Sequence, residues 1–180
     1  MRLFFAADLP EPTRDAIAAV TAKLPRVATA RWTPKQNYHL TLRFFGECGV
    51  ETLDALREGL AGLGPPPASE LTFRGPRYFP HSRAPRVLIV VAEAPPTLFA
   101  YQREVEQLAR QAGLDAERRP YIPHVTLARF RPGAREAARF VETAADVDGA
   151  WATAAITTAS LIESRLRAEG AEYRTIKRYA

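Results

Sequence analysis

The sequence contains His39-Leu40-Thr41-Leu42-Arg43-Phe44 and, in its second half, His124-Val125-Thr126-Leu127-Ala128-Arg129-Phe130. Both stretches alternate polar and apolar residues, which is typical of a strand with one buried face. Successive side chains of a strand point to opposite faces, so each histidine shares a face with the threonine two positions later. Because two of the three histidines in the chain occupy this repeated context, we predict one site built from both strands.

The repeated pair of side chains suits acid–base chemistry on an anion. An imidazole with an ordinary pKa of about 6.5 gains or loses a proton near neutral pH. One imidazole can therefore take a proton from an attacking oxygen while a second gives a proton to a leaving oxygen. Threonine hydroxyl groups can donate hydrogen bonds to phosphate oxygens. We predict His39 and His124 as the catalytic pair, and Thr41 and Thr126 as phosphate ligands.

The doubled His-x-Thr-x motif resembles that of the two-histidine (2H) phosphoesterases, and more narrowly that of the RNA 2′,3′-cyclic phosphodiesterases of bacteria and archaea, once named 2′-5′ RNA ligases. The residues that carry the resemblance span nearly the whole chain: 2–10, 32–46, 123–129, 160–166 and 170–173. The resemblance implies two lobes related by a pseudo-twofold axis, with antiparallel sheets and flanking helices around a central cleft. It also implies that the chain is a single domain over residues 1–180, with one motif in each lobe.

The same resemblance implies an activity. RNA ending in a 2′,3′-cyclic phosphate would be hydrolysed to a terminal 2′-phosphate, and a weak reverse reaction would join ends through a 2′-5′ bond. His39 would donate a proton to the leaving oxygen, and His124 would accept one from water. The residues by themselves do not distinguish these two roles.

Two arginines near the motif strands are further candidates for phosphate binding. Arg43 has the same parity as His39 and Thr41, so a regular strand places it on the ligand face. Arg129 has the opposite parity from His124 and would point into the core, where a charge is costly. We therefore predict that the second strand ends or bulges before Arg129 and releases it to the rim of the cleft.

Aromatic side chains near the motifs could stack on a nucleobase, as they do in readers of single-stranded RNA. Four of them lie at motif ends or in adjoining segments: Tyr38, Phe45, Phe79 and Tyr121. Packing in the core or at its rim is the competing interpretation for each of them.

Composition limits the class of protein. The 180 residues suffice for one domain with a core, and no apolar run is long enough to cross a bilayer. Cys48 is the only cysteine, so we expect no internal disulfide and a reducing cytoplasm as the location. We expect no metal site, no cofactor, no membrane partner and a monomer. The 25 basic residues, mostly arginine, exceed the 20 acidic ones and suit an anionic ligand such as RNA.

The order of predicted elements is mixed and does not alternate strictly between strand and helix, which favours the α+β class. Strands are predicted at 2–8, 32–34, 39–45, 71–79, 86–92, 124–130, 154–166 and 172–179. Helices are predicted at 12–24, 52–63, 97–112 and 135–143. A basic loop is predicted at 80–85, and a turn at 168–170 joins the last two strands.

Three other functions fit part of the pattern. The same fold could act on a small cyclic nucleotide, an ADP-ribose cyclic phosphate or a 2′-5′ oligonucleotide. A nucleotide-binding module without turnover would need neither histidine, and the presence of both argues against it. A scaffold with two structural histidines does not explain why the motif is repeated.

Overall fold

The computed structural model describes residues 1–28, 30–80, 86–131, 140, 144, 147–167 and 170–180. The strands in these residues are β1 (Arg2–Ala7), β2 (Ala30–Trp32), β3 (Leu40–Glu47), β4 (Ser69–Phe79), β5 (Val87–Glu93), β6 (His124–Phe130), β7 (Gly149–Ile156), β8 (Ala159–Arg167) and β9 (Gly170–Tyr179). The helices are α1 (Glu11–Thr21), α2 (Val50–Leu63), α3 (Pro96–Gln111) and a short 3-10 helix (Lys35–Asn37). Most of the predicted helix at 135–143, most of the loop at 80–85 and most of the turn at 168–170 lie outside the described residues.

Two antiparallel sheets organise the chain, which confirms the α+β prediction. The first sheet has the strand order β3-β1-β8-β9, and the second has the order β2-β6-β5-β4-β7. Each pair of neighbouring strands is antiparallel. The two motif strands, β3 and β6, therefore belong to different sheets. They lie close to each other where the two sheets meet.

One hydrophobic core joins both sheets and the three helices. Its fully buried side chains include Phe5 of β1, Phe73 of β4, Ile17 of α1, Leu60 of α2 and Val105 of α3. Each helix contributes apolar residues at the three- and four-residue spacing of one helical face. Removing these side chains from water is the main stabilising contribution to a fold of this size.

The faces of the first sheet can be told apart along β1. Leu3, Phe5 and Ala7 belong to the large core, and we call this the core face. Phe4 and Ala6 belong to a separate small cluster with Ile162 of β8, and we call this the cleft face. This alternation is the period-two pattern of a strand that is covered on both sides.

The prediction of one strand over residues 154–166 is wrong. The strand structure is interrupted at Thr157 and Thr158. The chain there passes from β7, which pairs with β4 in the second sheet, to β8, which pairs with β1 in the first. The Thr158 carbonyl accepts a hydrogen bond from the Asp8 amide at 3.0 Å, and its hydroxyl donates to the Asp8 carboxylate at 3.2 Å. The apolar pattern is continuous because both strands are buried, so it cannot show that the chain changes sheets.

In the part of the chain that the structure describes, no helix has both the length and the apolar character needed to cross a bilayer.

Candidate active site

The two motif histidines are held by the same local hydrogen bond. His39 Nδ1 lies 2.7 Å from the Asn37 carbonyl, and His124 Nδ1 lies 2.7 Å from the Ile122 carbonyl. A carbonyl oxygen can only accept, so each Nδ1 carries a proton and donates it. In the neutral imidazole Nε2 is then unprotonated, which makes it the atom that can exchange a proton with a ligand.

The motif threonines share a strand face with the histidines, as the alternation predicts. The Thr41 hydroxyl lies 3.0 Å from His39 Nε2, and it donates when that nitrogen is unprotonated. Thr126 is half-buried like His124, and the residues between and after them, Val125 and Leu127, are fully buried. Each motif therefore presents a ring nitrogen and a hydroxyl group on one face.

A bulge interrupts β3 directly after its threonine. Thr41 pairs with Ala6 of β1 and Arg43 pairs with Phe5, so Leu42 is an extra residue without an opposite partner. A bulge shifts the side-chain alternation by one residue from that point onward. Arg43 consequently lies on the core face with Phe5, and not on the cleft face with Ala6.

The prediction that Arg43 shares the face of His39 and Thr41 is therefore wrong. Its guanidinium forms an ion pair with Glu106 of α3, with 2.6 Å between Nε and Oε2, and it also donates to the Asp115 carbonyl. The side chain is only 10% exposed. Arg43 thus joins β3 to α3 and the segment after it, and it does not contribute to the site.

The second motif strand has a bulge at the corresponding position. Thr126 pairs with Ile89 of β5 and Ala128 pairs with Leu88, so Leu127 is the extra residue. The shift places Ala128 on the buried face and releases Arg129, which is exposed. The prediction of a bulge before Arg129 is confirmed, and its physical basis is that the core does not tolerate the charge.

Phe44 occupies the position in the first motif that Arg129 occupies in the second. Each lies five residues after its histidine and two residues after its bulge. Phe44 pairs with Phe4 on the cleft face, is 41% exposed, and has the Arg2 guanidinium 4.9 Å from its ring centroid. Sequence reasoning missed this residue, although the equal spacing of the two motifs was a signal that could have found it.

The four aromatic candidates differ in what they can contact. Tyr38 and Phe45 are 5% and 7% exposed and belong to the large core, so the prediction that they stack on a base is wrong. Phe79 lies edge-on to the His124 ring, with 5.3 Å between centroids, and remains a candidate. Tyr121 packs against Phe99 with 5.9 Å between centroids, and its hydroxyl donates to a backbone carbonyl.

Two further aromatic residues surround His39. The ring of Phe4 lies 4.8 Å from the His39 ring, and that of Tyr173 of β9 lies 5.3 Å from it, edge-on. They also contact each other at 5.1 Å. The sequence indicated neither, because Tyr173 comes from the end of the chain and nothing in its local pattern links it to the first motif.

Burial and neighbouring charges make both histidines poor bases in the free protein. Burial lowers the pKa of His39 to about 4, and the positive charges of His124 and Arg129 act in the same direction. Burial and Arg129 also lower the pKa of His124 from its ordinary value. The charge of Arg129 therefore acts on both rings, and the charge of His124 acts on His39. A bound phosphate anion would oppose both shifts and favour protonation of one ring.

Asp8 is a carboxylate whose charge acts on His39. Its charge acts to raise the pKa of His39 against the larger effect of burial. Its Oδ2 accepts hydrogen bonds from the Ser160 hydroxyl and from Arg178 Nε, each at 3.0 Å. Among the described residues, no group of three or more His, Cys, Asp or Glu side chains has an arrangement that could hold a metal ion.

Known proteins with similar sequences are phosphoesterases. The family described as "LigT like Phosphoesterase" matches residues 8–89 and 87–173. An RNA 2′,3′-cyclic phosphodiesterase of Methanothermobacter thermautotrophicus is 32% identical over 73% of this chain and 72% of its own length. The protein of that name from Thermus thermophilus is 36% identical over 72% of this chain and 68% of its own length.

A solved structure extends the similarity to the fold. The crystal structure of E. coli LigT complexed with 3′-AMP superposes with a TM-score of 0.76 at 27% identity, covering 99% of this chain and 96% of that one. The family match covers most of the chain and includes both His-x-Thr motifs. The chain therefore belongs to the LigT-like phosphoesterase family.

Proposed function

We propose that this protein hydrolyses 2′,3′-cyclic phosphate ends of RNA and leaves a terminal 2′-phosphate. The observation that carries the proposal is the pair of imidazoles held alike through Nδ1, with Arg129 acting on the pKa of both. The relatives named RNA 2′,3′-cyclic phosphodiesterase support the choice of substrate. The cleft between the two sheets is where the cyclic phosphate would bind.

The proposed reaction needs one proton acceptor and one proton donor. His124 Nε2 takes a proton from water as the water oxygen forms a bond to phosphorus. The bond between phosphorus and the 3′ oxygen breaks, and His39, protonated at Nε2, gives its proton to that oxygen. The roles of the two histidines follow the family resemblance. The hydroxyl groups of Thr41 and Thr126 donate to the phosphate oxygens, and Arg129 balances the negative charge.

The reverse of these steps would join a cyclic end to a 5′-hydroxyl through a 2′-5′ bond. Small cyclic nucleotides are the second candidate substrate, because the complex of E. coli LigT with 3′-AMP shows a relative that binds a mononucleotide. We propose Phe44, which is exposed, and Phe79, which contacts His124, as the aromatic residues that contact a base in either case. Comparing an oligonucleotide with a mononucleotide as substrate distinguishes the RNA candidate from the small cyclic nucleotide.

The direct test uses the purified protein, an oligonucleotide with a 2′,3′-cyclic end and the matching cyclic mononucleotide, all in the presence of EDTA. We expect conversion of the oligonucleotide to a product that carries a 2′-phosphate. Absence of turnover with both substrates would contradict the proposal. Dependence of turnover on added metal would contradict the acid–base mechanism.

Salt should distinguish an RNA substrate from a mononucleotide. Besides Arg129, the exposed Arg31 pairs opposite it on β2, and Arg2 lies over Phe44. Each contact with a phosphate of a single strand should contribute a slope of about −0.7 to the dependence of log affinity on log salt. We expect the oligonucleotide to have the lower KM at low salt, with the difference narrowing as salt rises. Equal kcat/KM for both substrates at every salt concentration would favour the small cyclic nucleotide.

The pH dependence of kcat/KM should follow the lowered histidine pKa values. The active form has one protonated and one neutral ring, and its fraction falls about tenfold per pH unit above both pKa values. Because the pKa of His39 is about 4 and that of His124 is also lowered, we expect a maximum on the acid side of the ordinary value. In kcat the alkaline limb should move to higher pH, since bound phosphate stabilises the protonated ring. Initial rates across the pH range measure both limbs, and a maximum in the alkaline range would contradict this assignment.

A further inference from the structure

At its bulge β3 has two backbone carbonyl groups that accept hydrogen bonds from side chains. In the described residues β3 pairs only with β1, so groups on its outer side need partners other than a strand. The Thr41 carbonyl accepts a hydrogen bond from the Tyr121 hydroxyl at 3.1 Å. The Leu42 carbonyl accepts one from Gln102 Nε2 of α3 at 3.4 Å. Two distant side chains thus hold the backbone of the first motif at its bulge.

Tyr121 begins the segment that also holds the second histidine. The carbonyl of the next residue, Ile122, accepts the hydrogen bond from His124 Nδ1. The Pro123 carbonyl accepts a hydrogen bond from the Ala92 amide of β5 at 2.9 Å. The hydroxyl of Tyr121 therefore connects the backbone beside one histidine to the segment that orients the other.

The second motif has a reciprocal connection. The carbonyl of Leu127, its bulge residue, accepts a hydrogen bond at 2.8 Å from the Thr33 amide, which lies before the first motif. Each bulge is thus held by the segment that leads into the other motif. Of the two connections, the one from Tyr121 is made by a side chain and can be removed without changing the backbone.

We propose that Tyr121 is a positioning residue whose hydroxyl, bonded to the Thr41 carbonyl, sets the geometry of the two motif histidines relative to each other. This inference rests on the proposed function. The ring of Tyr121 is half-buried and packs on Phe99 and the core, which fixes the position of its hydroxyl. Burial raises the pKa of Tyr121, so its hydroxyl keeps its proton and remains a donor. A shift of a catalytic group by a fraction of an ångström affects the chemical step more than binding.

Substituting Tyr121→Phe tests the proposal, because it removes the hydroxyl and keeps the ring. We expect kcat to fall by about tenfold or more, with KM changed less than about twofold. The matched control is Tyr101→Phe, since the Tyr101 hydroxyl of α3 donates to the Gly64 carbonyl at 2.7 Å, away from both motifs. Both variants should lose a similar few degrees of Tm, and only Tyr121→Phe should lower kcat.

A second measurement does not depend on turnover. In protein labelled with ¹⁵N-histidine, the ring resonances of His39 and His124 should shift in Tyr121→Phe and stay unchanged in Tyr101→Phe. Gln102→Leu, which frees the neighbouring carbonyl at the same bulge, should lower kcat in the same direction and covers a failure of Tyr121→Phe to fold. If the unsubstituted protein does not turn over the cyclic phosphate, the proposed function fails, and the ring resonances still decide the role of Tyr121.

Three results would overturn the inference. Wild-type kcat together with unchanged histidine resonances in Tyr121→Phe would show that the hydroxyl positions nothing. Equal losses of kcat in Tyr121→Phe and Tyr101→Phe would show general loosening. A raised KM at unchanged kcat would show a contact with the substrate.

Discussion

Substituting His39→Ala or His124→Ala should lower kcat by about two to four orders of magnitude, the range found for general acid–base groups. Each substitution removes the Nε2 that is proposed to give or take the proton on its side of the phosphate. Binding of a cyclic-ended oligonucleotide should be affected much less, because Arg129 and the two threonines remain. Single-turnover rates together with Kd values separate these two effects. The double variant should lose far less than the product of the two single losses, because the histidines act as a unit.

Thermal unfolding provides the control for this experiment. Both histidines are only half-buried, so alanine at either position should leave the fold intact and Tm within a few degrees. Full activity in either single variant would contradict the assignment of that residue. If activity fell only in proportion to the fraction of folded protein, the loss would be one of stability, and the catalytic role of the histidines would be contradicted.

Substituting Arg129→Ala should lower kcat/KM by about two to three orders of magnitude, as expected for a donor placed where negative charge develops. The same substitution should raise the pKa of both histidines, because the charge of Arg129 lowers them in the intact protein. Arg129→Lys keeps the charge but loses the forked donor, so it should recover only part of the activity. Steady-state rates and NMR titration of the histidine rings measure the two effects separately.

Arg43→Gln is the matched control, because Arg43 is the arginine of the first motif. Its ion pair with Glu106 lies on the core face, and its loss should lower Tm while kcat/KM stays within about threefold. Wild-type kcat/KM in Arg129→Ala would contradict the phosphate-binding role. A larger loss of kcat/KM in Arg43→Gln than in Arg129→Ala would reverse the assignment of the two arginines.

These two arginines show what the sequence can and cannot predict. Alternation over four residues correctly placed each histidine beside its threonine, because a half-buried strand tolerates only one register. The bulge before Arg129 was predictable because a regular strand would bury a charge. The same bulge before Arg43 left no such signal, since a regular strand would place Arg43 on the face of His39 without burying its charge. Its partner Glu106 lies far away in the chain. A pattern detects an irregularity only when the regular alternative is costly.

The aromatic residues were harder to assign for a related reason. Tyr38 and Phe45 sit next to motif residues in sequence, but burial of an aromatic ring is favourable by itself and carries no mark of function. Tyr173 contacts His39 through a strand pairing between distant parts of the chain. Contacts that depend on tertiary pairing are absent from any local window of sequence.

The first sheet is built from both ends of the chain, and this has a consequence for biosynthesis. During translation β1 and β3 leave the ribosome early, but β1 cannot gain its second neighbour until β8 has been made. Until then one edge of β1 is open to pairing with other chains. The contact between the rings of His39 and Tyr173 is also missing until β9 has been made. A nascent chain therefore contains both His-x-Thr motifs before it contains the strands that complete the first sheet beside His39.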